Sequence, residues 1–197
     1  MQAAGFEMGG ASNPAAADVG IADAGSLITA TTVEGALQEL AAMRKYIAAA
    51  GDQTATQQNT SLQDDTELVL SFATGQVWWL EGTFIYTAAS GTPDVKWAWK
   101  VANGSLIHGV IGAAGSQGGF SINGTGATPG GLLTESGDAA AGSFTGGSMN
   151  GTWGFKAGGL LTTSGACTVT FKFCQSTSDA SNLVRKAKSF LLATRLS

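Results

Sequence analysis

A single imidazole limits what this chain can do by acid–base chemistry. His108, within Leu106-Ile107-His108-Gly109-Val110, is the only histidine. A nucleophilic triad needs a base oriented by an acid and set beside a hydroxyl or thiol. No pattern around His108 supplies those partners, so its expected role is structural. Cys167 and Cys174 lie seven residues apart in an alternating run. An odd spacing puts them on opposite faces of one strand, where they cannot pair with each other. Neither has an evident activating base beside it; Cys167 is expected in the core and Cys174 nearer the surface. Gly124-Thr125-Gly126-Ala127-Thr128-Pro129 fails a dinucleotide fingerprint at its third glycine position.

Asp64, Asp65 and Glu67 form an acidic knot. With backbone carbonyls they could hold Ca²⁺, but the spacing matches no EF-hand. A turn role at the start of a strand, with aspartate oxygens accepting from nearby N–H groups, is the favoured reading. Nothing points to the carboxylate pair of a glycosidase. Trp79 could stack on a sugar, although tryptophan in such a strand is more often core. Arg185, Lys186 and Lys188 are too few for the basic stripe that nucleic acid requires. The reading is therefore of a non-enzymatic chain with no catalytic residue, cofactor or metal, and with Trp79 as its one candidate ligand contact.

Composition points to burial against other chains. Charged residues are 12% of the sequence, about half the usual share, and hydrophobic residues are 44%. Up to Asp94 there are eleven acidic and two basic residues, a balance of −9; from Val95 onward there are three acidic and eight basic, a balance of +5. The two ends are thus suited to different partners. Met1-Gln2-Ala3-Ala4-Gly5 lacks the basic start and apolar core of a signal peptide. No apolar run is long enough for a membrane span.

The elements follow from periodicity. Residues 1–30 are an extended arm; its first 25 residues are rich in alanine and glycine and offer too little apolar surface to order alone. Residues 31–51 read as a helix, with Thr31 as cap, Glu34 completing a capping box and Gly51 as the stop. Val33, Ala36, Leu40, Met43 and Ile47 follow the 3-4-3-4 spacing of a coiled-coil seam, widened by Leu37. Two heptads are marginal for a lone helix in water, so copies of the chain are expected to share this seam. Residues 52–63 read as a polar linker.

From 64 to 197 the period is two. Leu68, Leu70 and Phe72 alternate; Trp78, Leu80, Phe84 and Tyr86 share one face, with Val77, Trp79 and Ile85 opposite. Val95, Trp97, Trp99 and Val101 share a face, as do Cys167, Val169, Phe171 and Phe173, and the last strand holds Phe190, Leu192 and Leu196. This predicts a mainly β protein, an antiparallel β-sandwich of jelly-roll-like type. Gly75, Ser90-Gly91-Thr92-Pro93 and Asn103-Gly104 are the expected turns. The Trp78/Trp79 strand and the last strand are apolar on both faces, so the surplus faces should be covered by other subunits. Residues 104–165 hold 19 of the 29 glycines. Leu106–Ile111 and Thr152–Phe155 are the better strand candidates within that stretch.

Two segments carry a family resemblance. Residues 17–40, with the core Ala30-Thr31-Thr32-Val33-Glu34-Gly35-Ala36-Leu37-Gln38-Glu39-Leu40, resemble a segment common in bacteriophage fibre and other virion proteins, an extended stretch running into a trimeric helical neck. Asn59-Thr60-Ser61-Leu62-Gln63-Asp64-Asp65-Thr66-Glu67-Leu68 is similar to the opening of a β domain in phage structural proteins, and such domains end on a strand like Ser189–Leu196. The resemblance implies a homotrimeric virion protein assembled in the host cytoplasm. Capsid or tail proteins would anchor it through residues 1–30, as a head fibre or decoration subunit. A short tail fibre recognising host surface glycans is the alternative. Neither nucleic acid nor membrane is an expected partner.

Overall fold

The computed structural model describes residues 28–90, 93–114, 133–137, 144–145 and 151–197. The arm expected over 1–30 therefore lies outside the described residues except for its last three. So do the Gly124–Pro129 run and much of the glycine-rich segment. The chain divides into two compact units that part between Met43 and Arg44.

In the first unit, helix α1 spans Val33–Ala42, ten residues. Its cap is Thr32, one residue later than expected: the Thr32 hydroxyl accepts from the Gly35 N–H at 3.2 Å. Glu34 consequently sits in the first turn rather than closing a capping box. The Glu39 carboxylate accepts from both the backbone N–H and the hydroxyl of Thr29, which ties the incoming chain to the helix. Ala36 is buried, whereas Leu37 is 60% and Leu40 is 49% exposed.

The helix expected to reach Gly51 stops at Ala42, with Met43 as its C-cap. Arg44–Ala48 is instead strand β1, paired antiparallel with β10 (Phe190–Arg195). Tyr46 and Ile47 favour extended backbone. In that conformation Ile47 packs on the β core, which a continued helix would not deliver. Met43 and Ile47 are thus on no helical seam.

The expected linker is likewise part of the second unit. Gln53–Thr54 is β2, paired with β9 (Leu183–Arg185), and the Ala55 N–H donates to the Leu183 carbonyl at 2.9 Å. The β unit begins at Arg44, twenty residues before the expected boundary at 64.

Among the described residues ten strands form one antiparallel system. Its path runs β1-β10-β4-β8-β5-β6, where β4 is Val77–Ala88, β5 Val95–Ala114, β6 Leu133–Gly137 and β8 Gly151–Gln175. Strand β3 (Gln63–Phe72) pairs with β8, and β7 (Phe144–Thr145) pairs with β5. The long β5–β8 pair is the spine. On one side of β8, β5 runs along nearly its whole length; on the other, β4 pairs with residues 151–162 and β3 with residues 167–173. The sheet therefore curls into a half-barrel whose two ends meet across the core. Phe84 of β4 stacks on Phe171 from the far half of β8, ring centroids 3.8 Å apart.

Asn103-Gly104, expected as a turn, is a bulge within β5. Asn103 takes a left-handed φ of 57°, and a Cβ on Gly104 would lie 2.9 Å from the Thr162 carbonyl oxygen. A bulge bends a strand without ending it, which lets β5 pass from one end of the sheet to the other. Gly158-Gly159 serves close approach of the neighbouring strands: a Cβ would fall 2.3 Å from the Leu80 carbonyl oxygen at Gly158, and 1.8 Å from that of Ile107 at Gly159.

The inward faces match the alternation in the sequence. Leu68, Leu70, Phe72, Trp78, Leu80, Phe84, Tyr86, Val95, Trp97, Trp99, Val101, Cys167, Val169, Phe171 and Phe173 are all buried. Each large side chain so buried contributes about 1.5–3 kcal/mol. The last strand differs from expectation: Leu191 and Ala193 point in, while Phe190 and Leu192 are half-buried and Leu196 is exposed. Gly82 explains the choice. It leaves the space into which Leu191 and the Phe84 ring extend.

Candidate functional site

Two places in the β unit gather unusual side chains. The first is a buried guanidinium. Arg185 follows Leu183 at a spacing of two, so both face inward. Its Nε and Nη2 donate to Asp65 Oδ2 and Oδ1 at 2.7 and 3.1 Å, a two-pronged pairing in which both side chains are buried. Nη2 also donates to Glu67 Oε2 at 3.0 Å, and Nη1 donates to the Gly51 carbonyl at 2.6 Å. Glu67 Oε1 in turn accepts from the N–H groups of Ala50 and Gly51 at 3.1 and 3.2 Å. Beside it Lys186 pairs with Asp52.

This cluster fastens residues 50–53 to β3 and β9. Hydrogen bonding from Arg185 holds the Glu67 carboxyl below its ordinary range, and Lys186 does the same for Asp52. For Arg185, burial works against the charge, but the bonds to Asp65 and Glu67 outweigh it and raise its pKa. These bonds join three separate segments of the chain, so the cluster acts as a clamp.

The acidic knot is thus split. Asp65 and Glu67 join Arg185, and Asp65 Oδ1 also accepts from the Glu67 and Leu68 N–H groups at 2.9 Å, the turn role expected of it. Asp64 faces Lys100 and Lys172, both at 3.3 Å; partial burial pushes its carboxyl up, and the two lysines bring it below the ordinary value. Among the described residues, no group of three or more His, Cys, Asp or Glu is placed to hold a metal. No described helix is long and apolar enough to cross a membrane.

His108 is buried among indoles, with ring centroids 6.1 Å from Trp97 and 6.4 Å from Trp99. Cys174 is buried rather than near the surface, and its thiol donates to the Thr60 carbonyl at 3.2 Å. Burial pushes both thiols up to about 11, which removes the thiolate needed for reaction at neutral pH.

The second place is the outer face of the curled sheet. Directly opposed residues of antiparallel strands share a face. One such row runs Arg44–Thr194–Trp79–Leu160–Ile107 across β1, β10, β4, β8 and β5. In it Trp79 is 41%, Leu160 38% and Ile107 42% exposed. The next row runs Tyr46–Leu192–Glu81–Gly158–Gly109. Trp79 is therefore where the sequence placed it, on the face opposite the core, and Leu160 and Ile107 join it. No sequence signal marked those two; only the register brings them beside Trp79.

No family model and no curated protein matches the chain. Among solved structures it is similar to Eiger TNF from S. frugiperda, at a TM-score of 0.43 and 8% identity over 79% of this chain and 92% of that one. A lower similarity joins it to the infectious bursal disease virus Gx strain, at a TM-score of 0.22 and 8% identity, over 77% of this chain and 41% of the viral one.

Proposed function

We propose that this chain is a non-enzymatic structural subunit of a bacteriophage virion, a homotrimeric head fibre or decoration protein. Residues 1–30 anchor it in the particle, the helix joins three copies, and a β domain of jelly-roll-like type projects outward. The observation that carries the reading is the line of exposed large apolar side chains on a sheet whose core is already complete: Trp79, Leu160 and Ile107 in one row. Leu37 and Leu40 are exposed on the helix in the same manner. A folded chain that leaves such groups in water gains by covering them with sister copies, and threefold closure limits the assembly to a finite size. The phage assignment itself rests on the resemblance of residues 17–40 and 59–68.

A light-scattering mass of three chains is the expected result. Leu40→Asp should shift the protein to single chains while its far-ultraviolet spectrum keeps the β signature. A stable single chain for the unaltered protein at micromolar concentration would overturn the reading. A map of the whole particle would then place the subunit on head or tail.

The second reading is a short tail fibre that binds host surface glycans, and the exposure of Trp79 favours it. An indole face in water offers a platform for the apolar side of a sugar ring. Glycan-array binding abolished by Trp79→Ala, with the trimer intact, would select this reading over the first.

A further inference from the structure

The sheet turns its corner opposite one exposed asparagine. Strand β8 leaves β4 at Thr162 and meets β3 at Cys167. Across from this hand-over, Ala102 and Gly104 of β5 pair with Thr168 and Thr163 of β8, so Asn103 faces residues 164–167 by itself. Its side chain spans the gap. Nδ2 donates to the Ala166 carbonyl at 3.0 Å, and a Cβ on Gly165 would lie 3.2 Å from the Asn103 Cβ.

The fold dictates both residue types here. At a φ of 57° Asn103 occupies the left-handed region, which asparagine tolerates better than most side chains. Gly104 has no room for a side chain: a Cβ would stand 2.9 Å from the Thr162 carbonyl oxygen and 3.0 Å from Cys167 Sγ. The corner is thereby committed to an Asn-Gly pair. In a flexible chain such a pair reacts with itself, because a glycine without Cβ leaves its backbone nitrogen open to attack the asparagine side-chain carbonyl.

We propose that Asn103 is a deamidation site opened by unfolding: the folded bulge withholds its amide from Gly104, and a chain that has lost the bulge converts there irreversibly. In that step the Gly104 nitrogen bonds to Asn103 Cγ and gives up its proton. The Cγ–Nδ2 bond breaks, and Nδ2 leaves with that proton as ammonia. Water then opens the cyclic imide at either carbonyl, leaving aspartate or isoaspartate, with no change of oxidation state.

The geometry holds the reactants apart. Ring closure must carry Cγ along the chain onto the next peptide nitrogen, whereas the bond to Ala166 holds the amide across the sheet. Gly104 is itself fixed in the ladder opposite Thr163. Exposure of Asn103 gives water access, so geometry rather than dryness is the protection, and reaction waits on local opening. The product does not fit the corner. A carboxylate only accepts, so it faces the Ala166 carbonyl as one acceptor against another, and isoaspartate adds a backbone atom to the strand. A chain that has opened and reacted thus keeps a lasting defect where β8 passes from β4 to β3.

The test incubates the full chain at pH 8 in buffer and in urea, and follows the peptide containing Asn103 by mass spectrometry, apart from those containing Asn123 and Asn150. Conversion of Asn103 should be at least tenfold slower in buffer; a smaller difference would overturn the proposal. This comparison needs no variant. As a second measurement, Asn103→Asp should unfold at lower urea than both the unaltered protein and Asn103→Gly, which keeps the left-handed backbone without the charge. An Asn103→Asp midpoint equal to that of the unaltered protein would overturn the claim of a lasting defect.

Discussion

Leu160 and Leu161 are neighbours on one strand with opposite fates. Leu161 is fully buried against the aromatic core, and Leu160 stands in the exposed row. Trp78 and Trp79 repeat the contrast on β4. Inside, Phe84, Trp97, Trp99, Phe155 and Phe171 stack or meet edge to face at centroid distances of 3.8 to 6.5 Å. Outside, Tyr46 meets the Phe190 ring at 5.7 Å, and Trp79, Leu160 and Ile107 each keep about two-fifths of their surface in water. The lesson is that apolar content in this chain has two separate uses. One face supplies the stability of the fold, and the other is surplus to it and available for association.

The sharpest break in that contrast is Arg185→Ala. It would leave Asp65 buried without its cation, and removing one partner of a buried ion pair costs about 3–5 kcal/mol. Urea denaturation should show this loss, together with earlier proteolysis in residues 49–55. Next comes the neighbouring pair. Leu161→Ala should cost about 2–5 kcal/mol, while Leu160→Ala should stay within about 0.5 kcal/mol of the unaltered dilute protein and alter only association. Equal losses at the two positions would end the distinction between the faces.

A chemical probe separates them further. Iodoacetamide at pH 8 should leave Cys167 and Cys174 untouched in the folded protein and alkylate both in urea, since burial holds each thiol up to about 11. The fold prefers the neutral thiol, so stability is full below pH 9 and declines as the pH rises toward 11.

The smallest effect is acid sensitivity at the clamp. Glu67 and Asp52 titrate below their ordinary range in the folded protein, because Arg185 and Lys186 hydrogen-bond to them. Their contribution is present above that range and is lost as the pH falls through it. Both are surface groups, so the loss is modest. Glu67→Gln should flatten the decline in melting temperature between pH 6 and pH 3.

Much of the β unit was legible because alternation reports one physical fact, which side of a strand meets the core. It placed Trp78, Leu80, Phe84 and Tyr86 correctly from spacing alone. It failed where tertiary pairing overrode local pattern. Met43 and Ile47 continue a helical seam in the sequence, yet the β10 ladder claims Arg44–Ala48 and turns Ile47 toward the core. Asn103-Gly104 has turn composition, and the long β8 partner makes it a bulge. Arg185 was missed as a buried residue because its charge suggested a surface. The available signal was its spacing of two from Leu183, together with Asp65 and Glu67 spaced by two on another strand. The exposed row was only partly visible. Trp79 could be read from parity on its own strand, but Leu160 and Ile107 join it only through a register between strands more than twenty residues apart.

The register at the end of the spine has a further consequence. Ala114 of β5 is the direct partner of Gly154 of β8, so the chain between them starts and ends at one place on the sheet, and β6 and β7 pair with β5 on the way. Both ends of that excursion are pinned by a frame that does not depend on its wording. Lengthening such an excursion costs only about 0.6 kcal/mol for each doubling. A peptide inserted between β5 and β8, clear of β6, β7 and the buried Trp153, should therefore cost the scaffold little.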